Sequence, residues 1–279
     1  MTPAVIPIAE FSAPADWRTV DCISDLHLHA DDAATVDAFV RYLGATSADA
    51  VFILGDLFEV WVGDDAALEH GSFEARGVAM LREASRHRPI GVMHGNRDFL
   101  LGEAFHAASG TIALPDPLVL QLGAHRFLLA HGDALCLDDV DYLRFRAQVR
   151  AGPWQADFLA RPLPERRALA RSLRDRSEAA QRARLEAHAT TEGPAAAHPF
   201  ADVDASAARA LLHQAGASTF VHGHTHRPAE HSLGDGLRRL VLSDWDLAAR
   251  PTRADVLRLS AADGSVTRLG LGAAAASRG

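Results

Sequence analysis

Two cysteines, Cys22 and Cys136, are all that the 279 residues contain. That is too few for a disulfide scaffold, and the pair reads as free buried thiols in a reducing compartment. A run of about 18 apolar residues, the length a membrane-spanning helix needs, is missing. The start, MTPAVIPIAEF, lacks the basic stretch and apolar core of a secretory signal, so the expected location is the cytoplasm. Glycine (21) and proline (13) are at ordinary levels, which excludes fibrous and low-complexity classes. Positive charge is in deficit, with 28 Lys and Arg against 36 Asp and Glu and a formal net charge of −8. A non-specific nucleic-acid binder takes its affinity from basic side chains that neutralise phosphates, so nucleic acid is not an expected partner. Bound divalent metal would offset part of the negative charge.

With 48% hydrophobic and 23% charged residues, the chain is globular and long enough to bury a substantial core, as one large domain or one domain with an insert. Five short apolar runs each end at once in Asp, His, Asn or Gly: TVDCISDLHLH, ADAVFILGDLFE, PIGVMHGNRD, RFLLAHGD and STFVHGHTH. Between them, DAATVDAFVRYLG and SFEARGVAMLREASRH carry apolar residues at helical spacing. The pattern predicts an α/β fold with its chemistry at the carboxyl ends of strands, where open α/β sheets place their ligands. The segments RRLVLSD, ADVLRLSA and SVTRLGLG read as further strands, and the final AAAASRG as a frayed end.

One segment, from about residue 138 to 190, breaks the rhythm. It is helical and arginine-rich, and it carries Trp154, Phe158, Leu159 and Leu163. We read it as a helical insert in a single domain spanning residues 1–279; the plainer alternative is a solvated helical hairpin. TTEGPAAAHP reads as a flexible link to the next helix, DASAARALLHQ.

The strand ends supply Asp25, His27, Asp56, Asn96, His131, His224 and His226. Any one of these motifs alone is weak, because a lone loop histidine is more often a hydrogen-bonded structural group. Together they form a donor set of carboxylate, amide and imidazole without thiolate. Such a set suits Mn²⁺, Fe²⁺ or Zn²⁺ and disfavours a structural zinc knot. Seven donors exceed one tetrahedral site. With Asp56 bridging, two metals would each receive four protein ligands and keep open positions for water and a substrate oxygen.

The order D-x-H, G-D, G-N, H-G, G-H-x-H, from about Thr19 to Arg227, resembles the calcineurin-like metallophosphoesterases. The resemblance implies a sandwich of β-sheets flanked by helices. It also implies one metal on Asp25, His27, Asp56 and His226 and a second on Asp56, Asn96, His131 and His224, with Mn²⁺ the expected ion at both. Gly55, Gly95, Gly132 and Gly223 would allow the tight turns between strands and ligands. His222, the first imidazole of HGHTH, is expected to be structural.

Members of that family that cleave esters usually carry Gly-Asn-His at the central motif; here the third residue is Arg97. An alkoxide leaving group profits from a general acid, whereas a phosphate released from a pyrophosphate, with a pKa of about 6, needs none. Arg97 offers a permanently charged fork for phosphate oxygens; its alternative is to pair with a local carboxylate such as Asp98. The longer strings ILGDLFEVWVGDD, HGNRDFLLG, HGDALCLDD and HGHTHRPAEH are similar to the branch of the family that hydrolyses the pyrophosphate of UDP-2,3-diacylglucosamine in lipid A synthesis. That likeness implies that the insert is a lid for acyl chains, its apolar residues toward lipid and its arginines toward phosphates or anionic headgroups, with the protein working at the inner face of the cytoplasmic membrane. It also implies substrate contacts from Asn96, Arg97, Asp139, Ser177, Gln181, Arg184 and His224. Gln181 stands where the pattern has Asn and Arg184 where it has Lys, which changes reach while keeping donors. The reaction implied is in-line attack of hydroxide at phosphorus, Arg97 and the metals spreading the developing charge. Another nucleotide diphosphate or a phosphodiester is the alternative substrate. Oligomeric state is not fixed by the sequence; a monomer satisfies it.

Overall fold

The computed structural model describes residues 7–189 and 201–276. They form two compact units, Met1–Asp133 with Ala205–Gly279, and Ala134–Asp204. The TTEGPAAAHP segment lies outside the described residues.

Twelve strands build the first unit: β1 (Ala9–Ser12), β2 (Thr19–Ile23), β3 (Ala50–Leu54), β4 (Ile90–Met93), β5 (Ile112–Leu114), β6 (Leu118–Leu122), β7 (His125–Ala130), β8 (Thr219–His222), β9 (Glu230–Gly234), β10 (Leu237–Val241), β11 (Asp255–Ser260) and β12 (Val266–Gly270). They pair into two six-stranded sheets, β1-β6-β7-β8-β10-β9 and β12-β11-β2-β3-β4-β5. The core follows from the two-residue period of a strand. Val20 and Cys22, Ala50, Phe52 and Leu54, Leu118, Leu120 and Leu122, Phe127 and Leu129, and Leu257 and Leu259 all enter one buried apolar cluster drawn from both sheets. Each large apolar side chain so buried contributes about 1.5–3 kcal/mol relative to exposure.

Residues of opposite parity serve the outer faces. On β2, Asp21 lies between Val20 and Cys22 and bonds Tyr42, Thr46 and its cross-strand partner Arg258. Helices α1 (Ala33–Ala45), α2 (Phe73–Ser85) and α3 (Glu103–Ser109) belong to the same unit. Asp32 caps α1 by accepting from Thr35 N at 3.0 Å, and Ser72 caps α2 by accepting from Ala75 N at 3.0 Å, each satisfying a donor the helix itself leaves open.

The second unit holds α4 (Val140–Val149), α5 (Gly152–Leu159) and α6 (Leu163–Ala189). Asp139 caps α4, accepting from Tyr142 N at 3.3 Å. On α5, Trp154 and Phe158, one turn apart, stack with centroids 5.0 Å apart and planes at 13°. Phe158 is buried, contrary to its expected place on a lipid-facing surface; among the described residues the large apolar side chains that this unit exposes are Leu137, Val140 and Leu159. Pattern alone does not separate the two cases, because an apolar residue on a charged helix looks the same whether protein or lipid covers it. Ser177, Gln181 and Arg184 fall on α6, and their side chains lie outside the described residues.

Helix α7 (Ala205–Ala215), also in the first unit, buries Ala208, Leu211, Leu212 and Ala215, an i, i+3, i+4, i+7 face, and packs beside β8 and β10. The expected frayed end is instead ordered through Ala276 as α8 (Leu271–Ala276). Ala274 is fully buried, and its carbonyl accepts from Arg258 and from Ser47 N, two contacts an alanine run does not announce. Among the described residues no helix is long and apolar enough to cross a membrane.

Candidate active site

Parallel pairing sets the stage. β2, β3 and β4 run parallel in one sheet, and β7 and β8 in the other. Their carboxyl ends lead directly to Asp25, Asp56, Asn96, His131 and His224. The strand-end loops are laced together by the backbone: Asp25 N donates to Gly55 O at 3.1 Å, His27 N to Asp56 O at 3.0 Å and Gly223 N to His131 O at 3.0 Å. Two glycines permit the approach. A Cβ on Gly95 would stand 2.0 Å from Asp56 Oδ1, and one on Gly223 would stand 2.3 Å from Asp25 Oδ2.

Six described non-glycine residues have positive φ, and five of them are Asp25 (54°), His27 (48°), Asp56 (52°), His224 (66°) and His226 (51°). The left-handed region costs an ordinary residue roughly 1–2 kcal/mol, less for Asp. Strain concentrated in this way is held by surrounding structure and marks a site rather than chance.

The seven donors converge in two groups. Asn96 Oδ1 lies 2.9 Å from His131 Nε2 and 2.9 Å from His224 Nδ1. His27 Nε2 and His226 Nε2 are 3.4 Å apart, and His226 Nε2 is 3.4 Å from Asp25 Oδ1. Between the groups stands Asp56, whose Oδ2 is 3.8 Å from His27 Nε2 and 3.8 Å from His131 Nε2. Asp25, His27 and His226, and likewise Asp25, Asp56 and His131, each present one ligand atom within 4.8 Å of the others.

This donor set fits metal. An amide oxygen only accepts, and His131 Nδ1 already faces Leu54 O at 2.9 Å. A neutral His131 that donates there turns the lone pair of Nε2 on Asn96 Oδ1, acceptor against acceptor, unless a proton or a cation lies between. The 3.8 Å spacings about Asp56 are too long for hydrogen bonds. They are short enough for both atoms to reach one ion, whose bonds to such donors are about 2.0–2.2 Å.

Electrostatics of the protein alone point the same way. Burial opposes charge on His131, but Asp56, Asp133, Asp25 and Asp116 push its pKa up to about 9. Burial, then the neighbouring His131, pulls His224 down to about 4. Burial raises the carboxyl of Asp56 against the pull of His131 and His27. For Asp25 burial acts upward too, yet His226, His131 and His27 hold it well below the ordinary range. Divalent cations on these donors would take the place of the shared protons.

Arg97 follows Asn96, and its backbone N–H donates to Asp56 Oδ1 at 2.8 Å. Its guanidinium does not pair with Asp98, the local alternative; Nη1 is 3.9 Å from Glu59 Oε1. Asp98 is buried and accepts from Gly95 N at 2.8 Å, Leu57 N at 2.8 Å and Phe58 N at 3.3 Å, fastening the GDLF and HGNRD loops to each other. His222 is buried, its Nδ1 2.8 Å from Gly223 O and its ring against Phe220, which suits a structural role. Asp139, Ser177, Gln181 and Arg184 belong to the other unit.

Sequence reasoning missed Glu59, 3.0 Å from His27 Nδ1, and Asp116, whose Oδ1 accepts from His131 N at 3.1 Å. It also missed Asp244, held by Arg253 at 2.8 Å and 3.8 Å from His226 Nδ1. For Glu59 the available signal was its place three residues after Asp56, beside the motif rather than in it.

The calcineurin-like phosphoesterase family model matches residues 18–228. The chain is 41% identical over 243 residues to a UDP-2,3-diacylglucosamine hydrolase of Chromohalobacter salexigens, covering 85% of this chain and 91% of that one. A protein of the same name from Chromobacterium violaceum is 44% identical over 225 residues, covering 80% and 89%, and one from Ralstonia nicotianae is 44% identical over 248 residues, covering 88% and 90%. The chain thus belongs to the calcineurin-like phosphoesterases and, within them, to the UDP-2,3-diacylglucosamine hydrolase family. It is a hydrolase of a metal-dependent family.

Proposed function

We propose that the protein hydrolyses the pyrophosphate bond of UDP-2,3-diacylglucosamine, giving UMP and 2,3-diacylglucosamine 1-phosphate, a step of lipid A synthesis, and that it does so with two Mn²⁺ ions. The observation that supports this reading is that Arg97 is bonded through its backbone N–H to Asp56, which stands between the two groups of donors. Asp25, His27, Asp56 and His226 would hold one ion, and Asp56, Asn96, His131 and His224 the other. When bound, the pair supplies Lewis-acid stabilisation of phosphoryl oxygens and activation of water.

The chain's own residues do the positioning. Asp56 Oδ1 accepts from the Arg97 backbone N–H, which ties the start of the Arg97 side chain to the ligand loop. That fork is aimed to stabilise charge on phosphate oxygens as it develops, without a proton transfer. A histidine at position 97 would serve a leaving alkoxide; a leaving phosphate with a pKa of about 6 has no use for it. By likeness to the family, Asp139, Ser177, Gln181 and Arg184 would contact substrate, the helical insert would take the acyl chains, and the protein would work at the inner face of the cytoplasmic membrane.

The test is product analysis with UDP-2,3-diacylglucosamine, UDP-glucose and an aryl phosphodiester, each with Mn²⁺ and with chelator. Release of UMP from the lipid substrate alone, abolished by chelator, is expected. Equal or better turnover of UDP-glucose or the diester would overturn the substrate assignment in favour of another nucleotide diphosphate or a phosphodiester.

A further inference from the structure

We propose that Glu59 is a positioning residue shared by the two working parts of the site, one carboxylate oxygen fixing the tautomer of His27 and the other steadying the guanidinium of Arg97. The inference rests on the reading of His27 as a metal ligand and of Arg97 as a phosphate-binding group.

Glu59 Oε2 lies 3.0 Å from His27 Nδ1, and Oε1 lies 3.9 Å from Arg97 Nη1. The side chain is only 12% exposed, which is little for a carboxylate, and its position is fixed from both sides. Glu59 N donates to Leu28 O at 3.2 Å and Leu28 N to Leu57 O at 3.0 Å, so its segment is stitched to the D-x-H loop. Trp61 N donates to Arg97 O at 3.2 Å, which stitches the same segment to the central motif.

The chemistry at His27 follows. A carboxylate only accepts, so the 3.0 Å approach of Glu59 favours a proton on Nδ1, and in the neutral ring Nε2 then presents its lone pair toward Asp56 and His226. An outer carboxylate that fixes a ligand histidine in this way typically accounts for about 10–100-fold in metal affinity. The second oxygen does separate work, offering charge to Arg97 so that the flexible guanidinium is partly ordered before substrate arrives.

Two acceptor oxygens are needed, and glutamine has one. Whichever way its amide is turned, either His27 Nδ1–H or the Arg97 guanidinium meets an NH₂ donor. Glu59→Gln therefore separates the proposal from a merely structural role, while keeping the side chain's size. Mn²⁺ titration of wild type, Glu59→Gln and Glu59→Asp, by calorimetry with electron paramagnetic resonance of bound Mn²⁺, reads the His27 arm. Steady-state kinetics of Glu59→Gln, Arg97→Ala and the double variant at saturating Mn²⁺ read the Arg97 arm.

In Glu59→Gln one of two Mn²⁺ equivalents should weaken about 10–100-fold while the other holds. Its loss in kcat/KM should shrink in the Arg97→Ala background, since the two residues act together. Glu59→Asp, which keeps both oxygens, should recover part of each loss. Unchanged Mn²⁺ affinity at both sites, or a loss in kcat/KM that adds in full to that of Arg97→Ala, would overturn the shared role. Fewer than two Mn²⁺ on the wild-type protein would instead overturn the dinuclear reading, so the two failures are told apart by the first titration.

Discussion

The carboxylate of Asp98 accepts a hydrogen bond from the backbone N–H of Leu57 at 2.8 Å, across 41 residues of chain. With Gly95 N on its other oxygen, it ties together the loops that carry Asp56 and Asn96. Asp98→Asn leaves one acceptor end for donors that now find both. We expect it to destabilise the fold by about 1–3 kcal/mol, the cost of an unsatisfied buried donor, and to weaken Mn²⁺ binding as well. Thermal unfolding and metal titration check this; a variant that matches wild type in both would refute the fastening role.

Asp21 and Arg258 test stability apart from chemistry. Arg258 donates to both oxygens of Asp21, at 2.7 and 2.9 Å, and both side chains are buried. Arg258→Met leaves an uncompensated charge in the interior, for which about 3–5 kcal/mol is expected. Denaturant unfolding should show that loss, while kcat of the folded fraction stays at the wild-type value. A loss well below 1 kcal/mol would mean that Tyr42 and Thr46 suffice to satisfy Asp21.

These two pairs show what was legible in the sequence and what was not. A strand that ends in a run such as SDLHL or LGDLFE writes its donors next to its own apolar residues, so the seven donors that the fold brings together, and the five strands that carry them, could be read locally. The segments of β10, β11 and β12 were legible for the same reason. Strands β1, β5, β6 and β9 were not: β1 and β9 are half-exposed and lack a long apolar run, and β5 has three residues. Asp98, Asp116, Glu59 and Asp244 act on residues far along the chain or on backbone groups, and such contacts leave no period. Phe158 was misplaced because a helical pattern tells which face is apolar but not what covers it.

The apolar surface of the second unit is tested with the exposed residues rather than with Phe158. Replacing Leu137, Val140 and Leu159 together by serine should raise KM for the diacyl substrate several-fold and spare a short-chain soluble analogue, since each now leaves part of its apolar side chain open to solvent. Phe158→Ala should behave differently, lowering stability by about 3–5 kcal/mol as a buried aromatic does. Equal changes in KM on both substrates in the serine variant would count against acyl binding by this face.

Asp56 is the test of the bridge. Its Oδ2 is equidistant, at 3.8 Å, from an imidazole of each donor group. Asp56→Ala should therefore lose metal from both groups and activity with it, while circular dichroism retains the wild-type fold. Two full equivalents of Mn²⁺ on that variant would exclude a bridging role.

Arg97 separates pyrophosphate chemistry from ester chemistry. If its guanidinium stabilises charge on the phosphate oxygens, Arg97→Ala should lose on the order of 2–4 kcal/mol of transition-state stabilisation, the scale for one preorganised donor. Arg97→Lys should recover only part of this, because an ammonium lacks the planar fork. Arg97→His should weaken pyrophosphate cleavage while raising the low rate on an aryl or alkyl phosphodiester, where a general acid beside the leaving oxygen has a use. The measurement is kcat/KM on both substrate types with metal occupancy matched across variants. Matching occupancy matters because the Arg97 backbone N–H is bonded to Asp56 Oδ1, so a variant that shifts the loop would lose activity through the metals instead. Unchanged pyrophosphate cleavage by Arg97→Ala would leave Arg97 with only its contact to Glu59, and the argument from leaving-group chemistry would fall.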